Sequence, residues 1–401
     1  MLTHEAWEGT MQKVLMGLAG LALATFGGAA NAQDSVKIGI INEYSGQFAD
    51  TGAQIDNGIK LYIKQHGDTV SGKKIELIRK DTGGIAPDVS KRLAQELIVR
   101  DHADILAGFS LTPNALAAAD VSAEAKKFMV VMNAATAIIT TKSPYIARTS
   151  STTPQLNYTL GTWAAKNGIK TVYTMVSDYG PGIDAETWFQ TGFKEGGGQV
   201  IGSVRFPVAN PDFSAFVQAA KDAHPDAIYI WIPGGAQPGA VGKALAERGI
   251  DVAKTKVLGQ DALGTETALK SMGNGAIGII TVADYDYNHN SPLNHEFVKA
   301  FNDEFHRNPD FFAVGGYDGT RLIYEALKKT GGKADGDSLI AAAKGMSWES
   351  PRGPISIDPE TRDIVQTVYI RRVEKVGDEL RNVEFDSFPN VKDPAKARMA
   401  H

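Results

Sequence analysis

The chain has 401 residues, of which 43% are apolar and 22% charged, with a net charge of -5. That length exceeds one average core and suits two domains, and the weak negative charge with dispersed Lys and Arg argues against nucleic-acid or anionic-membrane partners. The absence of cysteine removes disulfides, thiolate metal sites, cysteine nucleophiles and a lipid-bearing cysteine at once.

Residues 14–24 form a short apolar run after Lys13, and Ala30-Asn31-Ala32 follows. A basic flank, a short apolar core and a small-x-small signal predict a secretory signal peptide over 1–32, with Met11 as an alternative start. The run is too short for a spanning helix. An export signal without an anchoring cysteine points to a soluble protein of the periplasm. From Val36 onward, apolar runs alternate with amphipathic segments. Strands are predicted at 36–41, 75–78, 105–109 and 128–132, with helices at 52–65, 87–100 and 113–127. This spacing makes βαβ units and a mostly parallel sheet.

A short strand at 145–148 leads into Thr149-Ser150-Ser151-Thr152-Thr153-Pro154, where the chain is expected to leave one lobe for another. The rhythm then restarts, with helices at 154–167, 183–195, 213–223 and 238–248 and strands at 171–176, 200–205, 228–232 and 256–260. Helices at 293–306, 314–329 and 337–344 come next. Strands at 353–357, 367–376 and 380–385 are less parallel in character. The polar, Lys/Arg/Ala-rich end, residues 391–401, is expected to be a loose tail.

In order and spacing, Tyr44-Ser45-Gly46 with Gly52, Gly108-Phe109-Ser110, Asn133-Ala134-Ala135-Thr136, Asp178-Tyr179-Gly180 with Gly182, Gly259-Gln260-Asp261 and Gly316-Tyr317-Asp318 resemble the periplasmic leucine/isoleucine/valine-binding proteins. These are the type I solute-binding proteins of ATP-driven importers, and the resemblance covers essentially the whole chain after the leader. It implies an α/β fold of two Rossmann-like lobes with a ligand cleft between them and three interlobe crossings. The first lobe would take 35–152 and 285–350, the second 153–284 and 351–390. It further implies a monomer without cofactor that binds a small carboxylate-bearing solute, closes, and is recognised by a membrane permease. A ligand-sensing regulator of the same fold and an exported hydrolase are the other classes open to the sequence.

Candidate ligand residues follow from position and resemblance together. Ser110 and Thr112 precede a helix, whose free N–H groups suit a carboxylate; taken from the sequence alone, capping is the favoured explanation of them. The resemblance assigns the carboxylate to Ser110, to the Ala134 N–H, and to the hydroxyl and N–H of Thr136. It assigns Tyr179 to closing the pocket from the second lobe, and Gln47 and Phe48 to a loop packing on the ligand. Asp261 stands where amino-acid binders of the family carry a Glu for the ligand ammonium. One methylene shorter, it would reach an ammonium through water or serve a hydroxyl of a different ligand. Gly234-Gly235-Ala236 replace a bulky tyrosine, which predicts a larger pocket and larger, aromatic acids; Trp231 nearby is assigned to core packing. His289, His295 and His306 with Asp284 and Asp286 match no metal spacing. No dinucleotide fingerprint, phosphate loop or nucleophile elbow is present.

Overall fold

The structure, a computed structural model, describes residues 34–399; the signal peptide expected over 1–32 lies outside them. Two sheets organise the chain. The first has six strands in the order β2-β3-β1-β4-β5-β6, comprising β1 (Ser35–Asn42), β2 (Thr69–Val70), β3 (Lys73–Asp81), β4 (Ile105–Gly108), β5 (Phe128–Val131) and β6 (Ile146–Arg148). Strands β1, β4, β5 and β6 pair in parallel, and β2 with β3 antiparallel. Every residue of β4 and β5 is buried, as expected for strands covered on both faces. Helices α1 (Ala49–His66), α2 (Pro87–Val99) and α3 (Thr112–Ala125) make the crossovers. Pro87 and Pro113 sit in the first turns of α2 and α3, where a missing N–H costs nothing.

The chain leaves this sheet through Thr152, whose side chain accepts the Gln155 N–H while Gln155 Oε1 accepts the Thr152 N–H, at 3.2 and 2.8 Å. That reciprocal cap starts α4 (Thr153–Lys166). The second sheet has nine strands, in the order β12-β13-β14-β11-β10-β9-β7-β8 with β15 on β14. Its parallel part comprises β7 (Thr171–Ser177), β8 (Gln199–Phe206), β9 (Ala227–Trp231), β10 (Lys256–Gln260) and β11 (Ile280–Ala283). Helices α5 (Gly180–Glu195), α6 (Phe213–Asp222), α7 (Gln237–Glu247) and the short α8 (Glu266–Met272) connect these strands. The chain then returns through α9 (Pro292–Phe305), α10 (Phe311–Lys329) and α11 (Gly336–Ala343) before β12 (Ser347–Ser350), β13 (Gly353–Ile357), β14 (Ile364–Val376) and β15 (Glu379–Val391). Strand β14 runs antiparallel to β11, as its sequence character suggested.

Helix α10 packs on α1 with backbones in contact. A Cβ at Gly58 would lie 2.0 Å from the Ala313 carbonyl oxygen, and one at Gly316 2.2 Å from that of Ile55. Only glycine permits that approach, which anchors the returning chain to the first lobe. Strands β12 and β13 form one hairpin, Trp348 opposite Ile355, straddling the expected lobe boundary at residue 350. Both side chains pack in the core built on β1 and α10.

The expectation of a loose tail is corrected. Residues Pro394–Met399 form α12, with Ala395 and Lys396 buried. The Lys396 ammonium meets the Asp363 carboxylate and the Thr140 hydroxyl, and Arg398 pairs with Glu195 at 3.0 Å. This polar segment packs as a helix because Lys396 finds a buried partner and Arg398 one at the surface.

Candidate functional site

Each sheet reverses strand order at one point, beside β1 in the first and between β7 and β9 in the second. Ligands of open α/β sheets bind beyond the strand ends at such points. Loops from both places line one cavity with an empty volume of about 510 Å³. Ser110, Leu111 and Thr112 enter it from the end of β4, Asn133 and Ala135 from the end of β5, and Ser151 from the crossing. Tyr179 and Pro181 follow β7, Trp231, Ile232 and Pro233 come from β9, and Gln260, Asp261 and Ala262 from β10. Phe311 and Phe312 come from the start of α10.

The first-lobe end is built from hydroxyls and backbone. Gly108 and Phe109 both have positive φ, 101° and 63°; this sharp turn, unusual for Phe, swings Ser110 over the end of β4. The Asn133 side-chain amide holds the Ser110 carbonyl at 2.7 Å. The hydroxyls of Thr112 and Thr136 share a hydrogen bond of 3.1 Å. Behind them the fully buried Arg148 donates to the carbonyls of Ala134 and Thr136, at 3.1 and 2.9 Å. Asp363 neutralises it at 2.6 Å. With those carbonyls drawn back, the intervening Ala135 N–H and that of Thr136 meet no protein acceptor among the described residues. The first-turn N–H groups of α3 lie alongside, unpaired as helix starts are.

The opposite end is aromatic with one acid. Tyr179 and Trp231 pack with ring centroids 5.8 Å apart at 48°, and Phe311 and Phe312 at 3.9 Å. The Trp231 indole N–H donates to Gln260 Oε1 at 2.8 Å, which locks the ring's orientation. Burial pushes the Tyr179 phenol above its ordinary pKa, so it stays a neutral hydroxyl. Asp261 is 2% exposed. Its Oδ1 accepts from the Ala262 N–H at 2.8 Å and from Gln260 Nε2 at 3.2 Å, while its Oδ2 is buried without a partner. Burial, and then the nearby Asp284 carboxylate, raise the Asp261 pKa to about 8 against the pull of Arg371. A smaller, more polar cavity of about 440 Å³ shares Asp261 and Phe311 and adds Arg371, Asp286 and Gln54.

Four predicted residues therefore line the cavity: Ser110, Thr112, Tyr179 and Asp261. Thr136 stands one hydrogen bond behind Thr112. The role expected of the Ala134 N–H is corrected: it donates to the Phe109 carbonyl at 2.9 Å, and Ala135 borders the cavity instead. Gln47 borders an outer groove with Gly234, Gly235 and Ala236, and Phe48 is buried beside Gly235. The glycine pair lines that groove and not the inner cavity: a Cβ at Gly235 would lie 2.7 Å from the Gln47 carbonyl oxygen, and one at Gly234 3.8 Å from Phe312, a wall of the inner cavity. Trp231, assigned to the core, is both core and cavity wall. Phe311 and Phe312 were missed; consecutive aromatics after the capping Asp310 were the available signal. No group of His, Asp and Glu among the described residues is arranged to hold a metal ion, and no described helix is long and apolar enough to cross a membrane.

Two α/β lobes that bring opposed strand ends over a small-molecule cavity define a two-lobed solute receptor of the type I kind. The chain belongs to the periplasmic binding proteins, whose family model matches residues 35–378. Leu/Ile/Val-binding protein homolog 6 of Brucella abortus (strain 2308) is 40% identical over 379 residues, covering 93% of this chain and 97% of its own. A solute-binding protein of an ABC transporter from Rhodopseudomonas palustris BisB5, in complex with 3,4-dihydroxy benzoic acid, is 57% identical with a TM-score of 0.88. The match covers 90% of this chain and 99% of that one. Another from R. palustris, in complex with 4-hydroxybenzoate, is 41% identical with a TM-score of 0.88, covering 91% and 100%. The family expected from the motif order is thus the family found.

Proposed function

We propose that this protein is the exported, monomeric receptor of an ATP-driven importer and that its solute is a hydroxylated aromatic acid. One observation carries the ligand class: an aromatic-walled slot joins a donor-rich end to a buried carboxyl oxygen that has no hydrogen-bond partner. A benzoate ring suits the walls of Tyr179, Trp231, Phe311 and Phe312. Its carboxylate suits Ser110, Thr112 and the Ala135 and Thr136 N–H groups, and a ring hydroxyl supplies the partner that Asp261 Oδ2 lacks, accepting from the acid when it is protonated and donating to it when it is ionised. The ligands of the two R. palustris relatives support the same class.

Closure follows because Tyr179 and Asp261, on the second sheet, gain ligand contacts only when the lobes meet. The membrane permease would read the closed pair of lobes. The family is one of solute-binding proteins, which supports binding without turnover. An amino acid is the second reading, since Asp261 Oδ2 would also accept from an ammonium.

Thermal shift with 3,4-dihydroxybenzoate, 4-hydroxybenzoate, benzoate and leucine tests the choice, because a ligand of the native state raises Tm by mass action. The two hydroxybenzoates are expected to shift Tm most, benzoate less and leucine not at all. A shift with leucine alone would replace the aromatic reading with the second one. Recovery of chemically altered ligand would overturn the receptor reading.

A further inference from the structure

Behind the carboxylate end stands an acid that the ligand reading leaves unused. Glu43, the residue after β1, is completely buried. One of its oxygens, Oε1, accepts from Asn114 Nδ2 at 2.7 Å and from the Thr82 hydroxyl at 3.0 Å. The other, Oε2, meets the Ser110 hydroxyl. Among the described residues no Lys, Arg or His pairs with Glu43.

The surrounding charges give it no relief. From β3 it faces Asp81, whose carboxylate is occupied by the N–H groups of Tyr44 and Gly83, both at 2.8 Å. From α3 it faces only Asn114 and, just before the helix, Ser110. Helix α1 packs on its backbone through Gly52, where a Cβ would lie 2.0 Å from the Glu43 carbonyl oxygen. The acids of that helix are turned elsewhere: Asp50 pairs with Arg307 and Asp56 with Arg79.

A serine hydroxyl has one hydrogen. While Glu43 is ionised, that hydrogen is committed to Oε2, and Ser110 offers a ligand only lone pairs. A ligand carboxylate would then face an oxygen without a hydrogen, with a second negative charge directly behind it.

Resting on the reading that Ser110 meets a ligand carboxylate, we infer that Glu43 is a proton-carrying positioning residue. Protonated, it donates to Ser110, which turns its own hydrogen to the ligand. No bond between heavy atoms changes: one proton leaves solvent and forms an O–H bond at Oε2, and one hydroxyl rotates. Burial raises the Glu43 pKa to about 7, with Asp81 adding to it and the bonds from Thr82 and Asn114 pulling it down. A second carboxylate brought up to Ser110 raises it further. Acid binding above that pH therefore takes up a proton, and affinity falls as pH rises.

The test is calorimetry with benzoate and 4-hydroxybenzoate between pH 6 and 8.5, in buffers of different ionisation heat. The expected result is close to one proton taken up per ligand near pH 8, with affinity falling by up to about tenfold per pH unit above 7. In Glu43→Gln the side-chain amide donates to Ser110 at every pH, so this proton uptake and slope should vanish while affinity near pH 6 is retained. Comparison of the two proteins separates the Glu43 proton from any proton taken up at Asp261. A purely structural Glu43 would weaken binding equally at all pH values in the variant. Flat affinity without proton uptake in the native sequence overturns the inference, as does an identical slope in Glu43→Gln. If that variant does not fold, Asp261→Asn replaces it: proton uptake on benzoate binding that persists in Asp261→Asn supports the Glu43 proton, and its disappearance there overturns the inference. If benzoate and 4-hydroxybenzoate fail to bind at every pH, the aromatic-acid reading falls and this inference with it.

Discussion

The two ends of the cavity are made on different terms. The first-lobe end is assembled from small side chains and backbone whose carbonyls are held back by Arg148, so its backbone N–H donors are in place before any ligand arrives. The second-lobe end consists of rings and a single acid, and it holds the unsatisfied oxygen of Asp261 in the interior. A buried acceptor without a partner costs stability, so the second end gains most from a ligand. On the proposed reading, the comparison teaches that the acidic character of the ligand is set at one end and the choice among acids at the other. The first end would accept any small acid; the second would rank acids by what they place near Asp261.

The largest expected effect concerns the point where both ends are joined. The buried guanidinium of Arg352 binds Asp284 at 2.6 Å, Asp318 at 2.7 Å and the Thr149 carbonyl at 3.0 Å. Arg352→Met leaves two buried acids unpaired and should lower the stability of the empty protein by about 3–5 kcal/mol in a denaturant melt. A loss under about 1 kcal/mol would show that the crossings hold without it. Next, Asp261→Ala should cost hydroxybenzoates about 2–3 kcal/mol of binding and leave benzoate nearly unchanged. An equal loss for all three acids would erase the division of labour between the ends. Thr112→Val should weaken every acid alike, by about 1–2 kcal/mol, because it removes a donor to the shared carboxylate. Smallest is Thr136→Ala, about 0.5–1 kcal/mol, since its hydroxyl acts through Thr112. A Thr136 effect larger than that of Thr112 would place Thr136 itself against the ligand. Titration calorimetry reads the last three.

Much of this was legible in the residues because the strands of the parallel sheets are uninterrupted apolar runs, bounded by Gly, Pro and small hydroxyl residues. Ser110 and Thr112 could be found because motif order singled out hydroxyls whose place before a helix capping alone would otherwise explain. Tyr179 and Asp261 were located by motif order. What escaped depends on chain segments far apart in sequence. Glu43 reads as one more loop acid until Ser110, Thr82 and Asn114 are brought round it. Phe311 and Phe312 reach the cavity only because α10 returns across α1 on paired glycines. Ala134 was misjudged because one peptide plane decides which N–H faces the cavity, and Phe109 takes the one that was expected to be free. Helix α12 looked solvated because composition does not reveal a buried counter-charge.

That last helix extends the site's reach to the end of the chain. Lys396 grips Asp363, Asp363 grips Arg148, and Arg148 sets the peptide planes that present N–H groups to the cavity. The turn around Lys396 is thus mechanically wired to the place where the solute's charge would rest. A change at Lys396, far from the cavity in sequence, would act as a remote adjustment of solute capture.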